Sequence, residues 1–546
     1  MSVHGAAQDL LFLAALTACV RPAGTYLARV FTNGSTWLDP VARPIERALY
    51  RLARIDAASD MTWTEYATAF VLFGLAGTLV LYAILRLQPP LATPLTPDLA
   101  ANTAVSFSTT ATWQAYAGET TMRYATQLIG LAGQNFLAGA AGLAIGIAFI
   151  RGLAADGAAT VGNFWVDVVR AILWVLLPVC IAGGLVLIVL GVPMNVDPYT
   201  HLTTLDGAAQ TIAQGPVAAL EFIKQLGTNG GGFFNANGAH PYENPTPLTN
   251  FIELLAIVAL PAGLTYTFGK IANRPRDGWV LYGVMVTLFA AGLAIAGHAE
   301  RSGTMEGKEV RFGVDGSVLA AVTTSNGATG STNAADDSLT PLGGAVPLVN
   351  MLLGEIAFGG LGTGLYSIVI VAMLGLFLTG LMVGRTPQYL GKPLGAAEVR
   401  LVVLYTLVMP LVVLPLTAVA VLAPAGLAGL TTNTGPHGMT EIWFAYTSAF
   451  ANNGQAFAGL NANTPFYNVT TTAAMMAGRF GLGIIALALA GTLARVPRRA
   501  DAGAVPTDSA LFGVVILGTA IIVGALTYAP ALVLGPIIEQ ARMMVP

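Results

Sequence analysis

Ten separate stretches of this chain are long and apolar enough to cross a membrane as helices, each approaching the roughly 20 residues that the hydrocarbon core demands, and nothing else limits its fold so strongly. They are centred on residues 10–20 with their flanks, 66–85, 128–150, 171–192, 254–268, 279–297, 356–383, 401–423, 473–489 and 510–534. The first, fifth and ninth carry the least signal. The first is short and ends at Arg21-Pro22, the fifth begins at Glu253, and the ninth contains Arg479. With 10% charged and 55% hydrophobic residues, a water-soluble fold of 546 residues would have too few ionisable groups to cover its surface. The chain therefore reads as an all-α polytopic membrane protein embedded in lipid.

Charge fixes the orientation. With the amino terminus outside, most of the 25 Lys and Arg residues fall in the short loops at 21–54, 151–170, 270–276, 385–400 and 495–499, all cytoplasmic. An even span count then leaves both termini outside. A net charge of -3 offers no basic field for nucleic acid. Cys19 and Cys180 both lie in apolar runs, which excludes a disulfide framework or a thiolate metal site.

The outside loops after spans two, four, six and eight are too long and too apolar to be simple connectors. Residues 102–118, 216–232, 314–330 and 439–454 each carry a short helical run ending in a polar, glycine-containing or Thr-rich turn. The second and fourth turns match closely: Asn229-Gly230-Gly231-Gly232-Phe233 precedes Asn235-Ala236-Asn237, and Asn453-Gly454-Gln455-Ala456-Phe457 precedes Asn461-Ala462-Asn463. The third offers Thr329-Gly330 before Asn333-Ala334, and the first is the outlier, with Thr112-Trp113-Gln114. Each unit reads span, half-helix, turn, span.

Non-helical backbone survives at membrane depth only where protein buries it or it lines a polar cavity. Four turns meeting at one axis satisfy that condition together. Half-helices aim partial negative charge at the axis, and glycine lets the next carbonyls turn inward. Rings of carbonyl oxygen replace the hydration shell of an alkali cation, and the turns lack the Asp and Glu runs of a calcium or magnesium cage. A dehydrated monovalent cation, potassium first, is the expected ligand.

Arg479 is a charge within a span, which marks it for a pore or gating role or a structural ion pair. Glu119, Glu243 and Glu441 border the pore loops and serve either to concentrate cations or to hold backbone by hydrogen bonds. The histidines His4, His201, His240, His298 and His437 show no ligand spacing and read as loop residues. Neither a GxxxxGK[ST] cradle nor an Asp-Lys-Thr-Gly phosphorylation site occurs, so no ATP-hydrolysing motif and no catalytic residue is expected here.

At these loops the sequence resembles the potassium-binding, channel-like subunit of the bacterial Kdp-type potassium-transporting ATPase, within the superfamily of potassium transporters. The resemblance runs over essentially the whole chain. It rests on Leu226-Gly227-Thr228-Asn229-Gly230-Gly231-Gly232-Phe233-Phe234-Asn235-Ala236-Asn237, His240-Pro241-Tyr242-Glu243-Asn244-Pro245-Thr246, Met305-Glu306-Gly307-Lys308-Glu309, Gly384-Arg385-Thr386-Pro387-Gln388-Tyr389-Leu390-Gly391-Lys392, Gly435-Pro436-His437-Gly438 and Asn452-Asn453-Gly454. It implies four membrane-pore-membrane repeats in pseudo-fourfold arrangement plus one extra helix at each end, in agreement with the count of ten. The expected boundaries are 1–60 for the first extra helix and its cytoplasmic loop, 61–155, 156–272, 273–392 and 393–500 for the repeats, and 501–546 for the last helix.

The same resemblance implies a subunit that selects potassium from outside and passes it inward within an ATP-driven importer of the bacterial inner membrane. Its partners would be a separate P-type ATPase catalytic subunit and two small accessory subunits, with potassium as the transported ion and no organic cofactor. A stand-alone potassium channel or gradient-driven symporter is the competing reading. Carried over by position, the filter uses Thr112 and Gln114, then Thr228, Asn229 and Gly230, then Thr329 and Gly330, then Asn452, Asn453 and Gly454. The family's first loop usually has asparagines where this chain has Thr110 and Thr112. The third loop holds one extra residue, so Gly327 competes with Gly330; alignment from Asp337-Ser338 selects Gly330.

Overall fold

The computed structural model describes residues 3–91, 93–302, 304–384, 386–498 and 505–544; Arg385 and Arg499 of the basic loops lie outside the described residues. Within them, ten helices have the length and hydropathy to cross a membrane: His4–Phe31, Trp63–Leu87, Thr126–Ala154, Phe164–Val189, Pro247–Ile271, Pro275–Ala299, Thr363–Val383, Ala396–Leu422, Pro465–Arg495 and Ala510–Met543. The chain is thus a multi-pass membrane protein, and all ten expected spans have a counterpart.

Local sequence sets where these helices begin. A Thr-Pro pair repeats at Thr246-Pro247, Thr340-Pro341 and Thr464-Pro465, where each threonine hydroxyl accepts from the backbone N–H three residues on and proline occupies the first helical position. These three starts open the second helix of repeats two, three and four, so the repeat is written in its caps as well as in its turns. The fifth span therefore begins at Pro247, and Glu253 lies inside it, buried.

Four short helices lie between spans: Pro97–Ser108, Val217–Leu226, Gly313–Asn326 and Gly435–Ala451. At 1.5 Å per residue, each of 10 to 17 residues falls short of the roughly 30 Å hydrocarbon core. They are buried almost throughout despite polar residues such as Asn102, Glu221, Thr324 and Glu441.

Burial sorts the spans by role. The second helix of every repeat is enclosed, with 61–83% of its most apolar stretch buried in repeats one to four; the first helices and the two terminal ones show only 28–50%. Four inner helices thus surround the pore loops, and the outer helices present Leu72, Leu79, Ile181, Leu411 and Ile521 to lipid. Gly24 on the first span and Gly263 on the fifth let two backbones touch: a Cβ on Gly24 would sit 2.5 Å from the Gly263 carbonyl oxygen.

The third repeat departs from the expected pattern. Its seventh span starts at Thr363, not 356; before it lie the short apolar helix Pro341–Leu352 and an irregular stretch, 353–362. Gly354, Glu355, Phe358 and Gly362 have positive φ there, which ends the helix. The stretch is buried in protein, the condition under which broken backbone is stable at this depth. Gly362 packs so tightly on the third span that a Cβ would lie 2.3 Å from the Gly142 carbonyl oxygen.

Candidate ion-selective pore

Each pore helix ends directly before its turn, so four helix carboxyl ends, with their partial negative charge, face one region. The backbone there repeats a three-residue pattern with positive φ at the first and third positions. Loop one has Thr110 (φ 67°) and Thr112 (40°), loop two Thr228 (51°) and Gly230 (85°), loop three Ala328 (50°) and Gly330 (71°), loop four Asn452 (57°) and Gly454 (92°). Left-handed residues alternating along a turn carry successive carbonyls to one side, the geometry a ring of oxygen ligands needs.

Close approach between loops shows that the four turns meet. A Cβ added to Gly230 would lie 1.3 Å from the Thr329 oxygen, one on Gly330 2.3 Å from the Asn453 oxygen, and one on Gly454 2.0 Å from the Ala111 oxygen. Loops two, three, four and one are therefore successive neighbours. Gln114 closes the circle: its Nε2 donates to the Gly232 carbonyl and its Oε1 accepts from the Gly232 N–H, both at 2.9 Å.

Gly330 occupies the third-loop position in this ring. Gly327 caps the pore helix at φ -77°, and its Cβ would strike Ile257 and not a neighbouring loop. In the first loop Thr112 holds the place that glycine has elsewhere, a β-branched residue at positive φ.

The two ends of the pattern face different spaces. The third-position residues Thr112, Gly230, Gly330 and Gly454 line an open cavity of about 840 Å³. The first-position residues Thr110, Thr228, Ala328 and Asn452 line an enclosed cavity of about 20 Å³ together with Arg479. A passage from one to the other must cross the ring. Thr110 and Ala328 were not among the residues expected to form the filter: Thr110 stood out only as a departure from the family's first loop, and Ala328 shares no side-chain chemistry with its counterparts Thr228 and Asn452.

Most side chains of the expected site hold the loops. The Asn453 amide donates to the Thr324 carbonyl at 3.0 Å and to Glu355 at 2.8 Å, and Asn452 donates to the Met475 carbonyl at 3.0 Å. Thr228 Oγ1 accepts from the Leu361 N–H at 3.1 Å, Thr329 Oγ1 donates to the Gly327 carbonyl at 2.9 Å, and the Asn229 amide nitrogen, correctly oriented, lies 3.3 Å from the carbonyls of Gly227 and Asn135. Backbone oxygen, together with the buried and unpartnered Thr112 hydroxyl, is what remains for an ion.

Behind loop two a buried ionic group stiffens the turn. Lys224 pairs with Glu221 at 2.7 Å and with Glu243, and donates to Asn237 Oδ1 at 2.8 Å; Asn237 in turn donates to the Gly230 carbonyl at 2.7 Å. Glu243 also accepts from the Phe234 N–H at 2.7 Å, and Glu119 from the Asn235 N–H at 2.9 Å. These carboxylates hold backbone.

Arg479 lies on a π-helical turn, Ala477–Gly481, of the ninth span. Its Nη2 donates to the Ala138 carbonyl at 2.7 Å, its Nη1 to Thr110 Oγ1 at 3.2 Å, and its Nε is buried without a partner. No carboxylate of the described residues pairs with it, so its charge faces the inner cavity uncompensated.

Fold and site define a class: membrane proteins in which the turns of four membrane-pore-membrane repeats of one chain meet in a ring. The sequence model of the family described as "Potassium-transporting ATPase A subunit" matches residues 10–541, and the chain belongs to that family. Among its relatives, the "Potassium-transporting ATPase potassium-binding subunit" of Methylobacterium nodulans is 50% identical, covering 99% of this chain and 98% of its own length. The protein of the same description from Koribacter versatilis is 48% identical, over 100% and 99%. The crystal structure of the potassium transporter TrkH from Vibrio parahaemolyticus shares the fold at a TM-score of 0.54, with 13% identity and coverage of 88% of this chain and 97% of that one.

Proposed function

We propose that this chain is the potassium-selecting subunit of an ATP-driven import complex, binding the ion at the ring formed by Thr110–Thr112, Thr228–Gly230, Ala328–Gly330 and Asn452–Gly454. The observation that carries this reading is the fourfold positive-φ pattern, whose ends face an open and an enclosed cavity. The ion enters from the large cavity, sheds water as carbonyls replace it, and reaches the small cavity, where the guanidinium of Arg479 opposes onward passage. Names of the relatives support potassium as cargo and an ATPase as partner. The P-type catalytic subunit supplies the ATP hydrolysis for which this sequence has no motif, and two small subunits complete the assembly. The complex lies in the bacterial inner membrane with the large cavity and both termini outside. Repeats at 61–155, 156–272, 273–392 and 393–500 are flanked by the extra segments 1–60 and 501–546.

The test is reconstitution into liposomes with and without the ATPase partner, reading rubidium uptake. Uptake that requires both partner and ATP supports the reading; ATP-independent uptake by this chain alone overturns it in favour of a channel or symporter.

A further inference from the structure

Beside the large cavity, three elements far apart in sequence bring a histidine and three carboxylates together. Asp337 follows the third pore loop, His437 and Glu441 stand one turn apart on the fourth pore helix, and Glu539 belongs to the last helix. Ligand atoms of Asp337, His437 and Glu441 all lie within 4.8 Å of one another. His437 Nε2 is 2.7 Å from Asp337 Oδ1 and 3.7 Å from Glu441 Oε1, while Nδ1 is 2.7 Å from Glu539 Oε1.

Hydrogen bonding leaves this group incomplete. The Nε2 proton serves Asp337 and the Asn433 amide serves Glu441 Oε1, but Glu441, 1% exposed, keeps an Oε2 with no partner. Three carboxylates around one imidazole also leave net negative charge even when the ring is protonated.

We propose that Asp337, His437 and Glu441 form a binding site for a divalent transition-metal ion of the zinc class. Nitrogen from one imidazole and oxygen from two carboxylates is a donor set that such an ion accepts, with water in the open position. Glu539 supplies the outer contact: a carboxylate accepting from Nδ1–H fixes the tautomer that presents the Nε2 lone pair to metal. Asn433 completes the rim, its amide 2.8 Å from Glu441 Oε1; half a turn about its terminal bond would present oxygen in place of nitrogen. Side-chain exposures of 17% for His437 and 18% for Asp337 leave an entry path. The site is independent of the transport reading.

The purified, intact complex is stripped with chelator and dialysed against ZnCl2. One zinc per chain at micromolar free metal is expected, with at least tenfold weaker binding in His437→Gln and in Glu441→Gln, and a smaller loss in Glu539→Gln. Zinc binding to wild type no tighter than to His437→Gln and Glu441→Gln overturns the proposal. Should a variant fail to assemble, anomalous scattering at the zinc edge from wild-type crystals soaked in ZnCl2 decides: a peak bonded to His437 Nε2 is expected, and no peak there overturns the site.

Discussion

Arg479 and Thr110 meet across the inner cavity, Nη1 donating to Oγ1 at 3.2 Å, so the guanidinium that lines this cavity is tied to the first turn of the ring. A fixed cation there opposes the next cation to leave the ring. Arg479→Gln is expected to raise passive rubidium leak through the reconstituted complex by about tenfold or more, the scale of removing a unit charge at several ångströms in a medium of intermediate dielectric. Arg479→Lys should restore most of the block. Equal leak in wild type and Arg479→Gln would show that the charge does not act on the ion.

Ring glycines and the capping glycine should separate in one experiment. Gly330→Ala forces a Cβ toward the Asn453 oxygen at a positive φ and should weaken potassium activation of the ATPase by about tenfold, about 1–2 kcal/mol of strain passed to the ring. Gly327→Ala presses on Ile257 instead and should lower thermal stability while leaving half-saturation by potassium within about threefold. The reverse pattern would assign the third loop to Gly327.

Thr112 sits where the other loops have glycine. Thr112→Gly removes the strain of a β-branched residue at φ 40° and should leave potassium affinity within about threefold. Gly230→Thr, the same exchange in the opposite sense, would drive a side chain into the Thr329 carbonyl and should abolish potassium-stimulated hydrolysis. Comparable losses from both exchanges, read as half-saturation for potassium, would break the equivalence of the four turns.

Lys224 neutralises carboxylates that are themselves fully buried. Lys224→Met strands Glu221 and Glu243 and should cost about 3–5 kcal/mol, seen as a lower melting temperature or loss of the assembled complex. Replacing Asn237 by Leu keeps that pair but removes the donor to the Gly230 carbonyl, so it should weaken potassium activation with a smaller stability loss. Unchanged potassium activation in Asn237→Leu would mean that the ring does not need this brace.

Much of the architecture was legible in the sequence because lipid makes a blunt demand: a span must be long, apolar and internally hydrogen-bonded. Each of the ten stretches has a helical counterpart, the seventh only from Thr363, and the glycine turns mark where the backbone leaves helical φ. What escaped was set by contact in space. The break before Thr363 lies in an apolar run that hydropathy cannot distinguish from helix; its signal in the sequence is the glycine group Gly354, Gly359, Gly360 and Gly362. Ala328 was hidden because the ring uses its backbone, which leaves no side-chain signature. From sequence His437 reads as a loop residue without ligand spacing, yet it lies on the fourth pore helix and its partners Asp337 and Glu539 stand 100 and 102 residues away.

The most direct test of the central claim is the position of thallium or rubidium, located by anomalous scattering in crystals of the assembled complex. A peak on the axis between the first- and third-position residues, within coordinating distance of carbonyls from all four turns including Thr329–Gly330, is the predicted result. Heavy-ion density confined to one loop, or absent from the ring while transport persists, would contradict it.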